Sequence, residues 1–125
     1  MKSITFIINT ILIIALIPVK SCDHIYDRTY IIELLNSKDM ADNMEAYFII
    51  GENKDSSFIN ELIKDPYNPR VTNDLRFKGM SVYYTKMGAL RKITGVSPPK
   101  RVNYEPDSLV VKFYFSLLRE RGLIK

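Results

Sequence analysis

Apolar residues are distributed along this chain at two densities. Between positions 4 and 19 they run almost without a break, interrupted by Thr5, Asn9 and Thr10 and closed by Pro18 and Lys20. From Asp27 onward they recur three and four apart, the spacing that places them on one face of a helix. Asp27 caps a first predicted helix over 27–36, with Tyr30, Ile31, Leu34 and Leu35 on one face. Asp39 caps a second, whose face collects Met40, Met44, Tyr47, Phe48 and Ile50 and which Gly51 is expected to stop. Ser56 or Ser57 caps a short third helix bearing Phe58, Ile59, Leu62 and Ile63, closed by Asp65 and Pro66. A longer helix runs from about 79 or 81 to 94, with Val82, Tyr83, Met87, Leu90 and Ile93 inward, Lys86, Arg91 and Lys92 outward, and Gly95 at its end. Asp107 caps the last, whose stripe is Leu109, Val110, Phe113, Tyr114, Leu117 and Leu118 and which Gly122 closes. No alternating run demands a strand, although 71–77 is ambiguous. The pattern therefore predicts one all-α domain of about five helices over 27–125.

The dense apolar run is shorter than the roughly 18 residues that a membrane span needs, and it follows a single positive charge at Lys2. It reads as the core of a signal peptide, so residues 1–21 are expected to be removed and the rest exported, with 22–26 as a short tether. "VKSC" at 19–22 resembles the lipobox of bacterial lipoproteins, Val19 and Ser21 standing at the aliphatic and small positions and Lys20 departing from the pattern. The resemblance implies that Cys22 becomes the acylated first residue, and two or more acyl chains hold a protein stably on a membrane. The small-x-small pattern also permits ordinary cleavage after Ser21, which leaves Cys22 as a free thiol, and an uncleaved anchor is the third option. Cys22 is the only cysteine. An internal disulfide is therefore excluded.

Charge then narrows the function. The chain has 18 basic and 14 acidic residues, but Lys2 and Lys20 belong to the leading segment, so the excess left in the domain is small. Nucleic acid is accordingly not an expected partner. His24, the only histidine, sits in the tether and has only Asp23 and Asp27 nearby, too few ligands for a metal. A Cys-His or Ser-His-Asp centre would have to use that same residue outside the folded part. Asp42 with Glu45, and Glu52 with Asp55, read as solvated helix-end carboxylates rather than an acid-base pair. "GENKDSS" at 51–57 lacks the phosphate-loop spacing and follows a helix. No catalytic residue, cofactor or small-molecule substrate is expected, and the chain does not read as an enzyme.

"AYFIIG" at 46–51 and "ALRKITG" at 89–95 share a small residue, an aliphatic four positions on, and a following glycine. Their alanines lie 43 residues apart, within the 40–47 residue period of helical HEAT and armadillo repeats. With "YIIELLNSKD" and "SSFINELIKD" beside them, they make residues 30–95 resemble a HEAT-like repeat protein, and the last helix then caps the stack. The insertion "DPYNPRVTNDLRF" and the count of about two units depart from that family, so an unrelated small bundle remains the competing architecture.

Neighbours on a helix point about 100° apart, so Tyr83 and Tyr84 cannot both be buried on one face. Tyr84 is expected to join Lys100, Arg101 and Tyr104 of the long 96–106 connection in an aromatic and basic recognition patch. Arg119, Arg121 and Lys125 fit the negative end of the last helix, with anionic membrane contact as the alternative. The expectation is a lipid-anchored protein of the cell envelope that binds another envelope protein without catalysis, held on the periplasmic or outer face. An inhibitor or immunity-type protein is the alternative, with the 96–106 connection as its inserting element.

Overall fold

The computed structural model describes residues 27–125. The expected signal peptide at 1–21 and tether at 22–26, with Cys22 and His24, lie outside the described residues. The described part is all-α: α1 (Arg28–Asn36), α2 (Met40–Glu52), α3 (Ile59–Ile63), α4 (Val82–Thr94) and α5 (Ser108–Glu120), with a single turn of 3-10 helix (Ser56–Phe58) leading into α3. Among the described residues no helix is long and apolar enough to cross a membrane.

Each main helix begins where a short polar side chain can accept from its first turn. Asp27 accepts from the Thr29 amide, Asp39 from Ala41, Ser81 from Tyr84 and Asp107 from Leu109. The 3-10 turn is capped by Asp55, not by Ser56 or Ser57, because the Asp55 carboxylate reaches the Ser57 amide at 3.0 Å. α2 and α4 form the centre, with α1 against α2 and with α3 and α5 against α4. Ile31, Ile50, Leu62, Tyr83, Leu90, Tyr114 and Leu118 meet in the main core. Met44, Phe77 and Val82 form a smaller cluster beside it.

The central contact corrects the role expected of Gly51. It does not stop α2 but lies within it, and a Cβ there would stand 2.8 Å from the Ala89 Cα. The chain turns after Asn53, and Lys54 takes the left-handed conformation instead, at φ 49°. Gly95, by contrast, does end α4 in that conformation. The two glycines of the apparent repeat thus serve different purposes: one allows close approach and the other a reversal.

Four inward or outward assignments also change. Tyr30, Phe48 and Leu109, expected on apolar faces, are 36%, 48% and 60% exposed. Lys86, expected outside, is only 3% exposed. Its ammonium donates to the Lys64 carbonyl at 2.5 Å, at the end of α3, and lies 5.0 Å from the Tyr47 ring. An orphan carbonyl at a helix end explains why a lysine goes inward there. The 64–81 connection is bound down rather than loose. Arg70 and Asn68 carbonyls accept from the Val82 and Tyr83 amides, and isolated bridges join Val71 to Ser81 and Thr72 to Lys78. With the Ser81 hydroxyl on Tyr84, the first three amides of α4 are all satisfied.

Candidate functional site

Four segments surround one cleft of about 860 Å³: α2, residues 76–80, α4 and residues 97–102. That volume lies in the range of clefts that hold small ligands, about 300–1,000 Å³. Its apolar surface comes from Phe48 and Ile49 of α2, Phe77 and Met80 of the connection, and Met87 and Ala89 of α4. The far wall is Pro98 and Val102 of the 96–106 segment.

That wall is anchored at several points. The Ser81 hydroxyl donates to the Tyr104 carbonyl, the Tyr114 hydroxyl to the Val96 carbonyl at 3.1 Å, and Lys100 pairs with Asp107 at 2.6 Å. The Lys100 ammonium, with the Leu109 and Val110 amides helping, holds the Asp107 carboxyl below the usual range. Just before the wall, the Arg121 guanidinium binds the Thr94 carbonyl at 2.8 Å. The segment lies along the body as a wall.

The four residues singled out from the sequence are brought together here. Tyr84, Lys100 and Arg101 line the cleft, and Tyr104 meets Tyr84 edge to face, with ring centroids 4.8 Å apart and planes at 88°. Tyr104 is 48% exposed and does not itself line the cleft. An edge-to-face pair of this kind is worth roughly 0.5–1.5 kcal/mol beyond burial, which helps hold the wall to α4.

The opposite side of the cleft has no local signal in the sequence. Arg76 from the connection inserts between the carboxylates of α2, pairing with Asp42 at 3.0 Å, Glu45 at 2.5 Å and Asp74 at 3.0 Å, with Asp39 at 3.7 Å. The Ser37 hydroxyl first, and Arg76 second, hold the Asp42 carboxyl below its ordinary value; Arg76 does the same for Asp74. Lys92 pairs with Glu52 and lies 4.4 Å from the Phe48 ring. Asp42 and Glu45 thus share Arg76, and Glu52 is engaged by Lys92. Among the described residues, no group of three or more His, Cys, Asp or Glu is placed to hold a metal ion.

Gly88 was likewise not singled out, although its signal was in the sequence: a glycine inside a helix costs about 0.8–1.0 kcal/mol against alanine. It lines the cleft, and a Cβ built on it meets nothing within 4 Å. Tyr84, Gly88, Arg91 and Lys92 succeed one another at helical spacing on the cleft side of α4. No protein-family model, curated protein or solved structure matches this chain.

Proposed function

We propose that this chain is a lipid-anchored envelope protein that binds a partner protein without catalysing a reaction. The observation that carries the binding half is that Tyr84, Lys100 and Arg101 line one firmly held cleft, with Tyr104 packed edge to face against Tyr84. Tyrosine and arginine are the residue types that dominate binding energy at protein interfaces, and a rigid wall lowers the ordering cost of association. The anchoring half rests on the VKSC segment at 19–22 and on the apolar run before it. In this reading α2 and α4 are the corresponding helices of two HEAT-like units, supported by their side-by-side packing through Gly51 and Ala89. Such a pair presents its helical face, and here the cleft lies on that face.

A photocrosslinking residue placed at Arg101 tests the reading against a second placed at Asn60, an exposed position of α3 that does not line the cleft. A discrete protein adduct in the membrane fraction from position 101 and none from position 60 is the expected result. Adducts from position 60 alone, or equal capture at both, contradict it.

A further inference from the structure

The charges around the cleft do not balance. Five basic side chains and one acidic one line it. Arg76 is occupied by four carboxylates, Lys92 by Glu52 and Lys100 by Asp107. Arg91 and Arg101 also line it, and neither forms an ion pair with a carboxylate among the described residues. They reach the cleft from separate elements, α4 and the 96–106 wall. Both are exposed, so each guanidinium keeps its donors available.

The same cleft carries apolar surface that the fold leaves partly exposed. Phe48 remains half exposed although it sits on the central helix, its ring tilted against Phe77 at 6.3 Å. Gly88 leaves room where any other residue would place a side chain, and no neighbour requires that room. Gly51, on the opposing helix, shows the contrast: there Ala89 excludes a side chain. Packing within the domain therefore does not require glycine at position 88, and the space above it is open to a ligand.

We infer that the cleft binds a small amphipathic anion, an apolar chain or ring lying over Gly88 and against Phe48 with a single carboxylate or equivalent acid held by Arg91 and Arg101. The chemistry follows from the two halves of the site. Apolar surface favours the body of the ligand at about 25 cal/mol per Å² removed from water, and guanidinium forks match a carboxylate in geometry as well as charge. A neutral molecule leaves both arginines unanswered, whereas one carboxylate offers two oxygens for two guanidiniums. The inference goes beyond the partner-binding reading and shares Arg101 with it, so small-anion binding and partner capture are measured in separate experiments.

Calorimetric titration of the full chain in discs of zwitterionic lipid tests the inference, with octanoate and naphthalene sulfonate as probes, octanamide as the neutral counterpart and empty discs as the blank. Saturable binding of both anions is expected, with octanoate about tenfold tighter than octanamide, the ratio that one charge-assisted hydrogen bond supplies. Gly88→Leu is expected to abolish binding of all three while leaving the melting temperature unchanged or higher, since its added atoms enter open space in a helix. Arg91→Gln combined with Arg101→Gln is expected to erase the preference for octanoate over octanamide and to keep the weak octanamide binding. No saturable heat above the blank overturns the inference, including the case in which disc lipid fills the cleft. Binding that survives Gly88→Leu in a folded variant overturns it equally, and so does an anion preference that survives loss of both arginines.

Discussion

Gly51 of α2 and Ala89 of α4 touch backbone to backbone: the position that a Cβ on Gly51 would occupy is 2.8 Å from the Ala89 Cα and 3.2 Å from its Cβ. Those two small residues set how closely the central helices approach. The principal core, from Ile31 to Leu118, is built around that approach.

Gly51→Ala is therefore expected to destabilise the fold by about 1–3 kcal/mol, the usual cost of forcing a methyl group into a packed contact. Gly88→Ala, one residue before Ala89 on the other helix, is expected to stabilise by up to about 1 kcal/mol, because only helix propensity changes there. Chemical denaturation of the two variants beside the native chain checks both signs. A stabilising Gly51→Ala would mean that the helices are not in contact at that point.

Lys86 supports the end of α3 from inside. Lys86→Met keeps the apolar stem but leaves the Lys64 carbonyl without its donor, and the expected cost is about 1–3 kcal/mol. Burial lowers the Lys86 ammonium from its ordinary value, so the unfolded chain binds the proton more readily than the folded one. As pH climbs from that lowered value toward about 10.4, stability should rise in the native chain relative to Lys86→Met. Paired denaturation curves across that range measure the difference, and a constant difference would contradict a buried ammonium.

Tyrosines act in the opposite direction at alkaline pH. Burial pushes the Tyr114 hydroxyl up to about 12 and raises Tyr83 and Tyr47 in the same direction. A raised folded value contributes stability that is complete below the ordinary tyrosine value of about 10 and disappears as pH rises through the folded one. Stability should accordingly fall between about pH 10 and 12, and Tyr114→Phe should flatten that fall. At neutral pH the same variant loses the bond to the Val96 carbonyl, at a cost of about 1 kcal/mol. Tyr83→Phe should cost less, because the Tyr83 hydroxyl, though buried, reaches no acceptor among the described residues.

Arg76 gives the acid limb. Asp42 and Asp74 are held below the ordinary carboxylate value in the folded state, so their contribution is present above about pH 4 and is lost as pH falls. Arg76→Gln should lower stability at neutral pH and narrow its gap to the native chain in acid. High salt should shrink the neutral-pH gap as well, since these groups face solvent. A gap that is independent of both pH and salt would assign Arg76 a packing role instead.

The helices were legible because their signals are local. The aspartate caps at 27, 39 and 107, the three-and-four spacing of apolar residues and the left-handed glycines at 95 and 122 each act within one turn of chain. Gly51, Phe48 and Lys86 were misassigned because their roles depend on partners from other elements: Ala89, the cleft and the end of α3. The wall of the cleft was half visible, since Tyr84 and the basic residues of a long connection suggested a surface. Its opposite side was not, because nothing local tells that Arg76 will cross to three carboxylates of α2. The same limit applies to charge: which arginines stay unpaired is a property of the assembled face.

The central claim is that this binding domain is held at a membrane through Cys22. Intact mass of the protein from its native membrane fraction, beside a Cys22→Ser variant, tests it most directly. The account predicts a mass of residues 22–125 plus two or three acyl chains, absent in the variant. An unmodified 22–125 chain in the soluble fraction, or an uncleaved chain with no added mass, would contradict it.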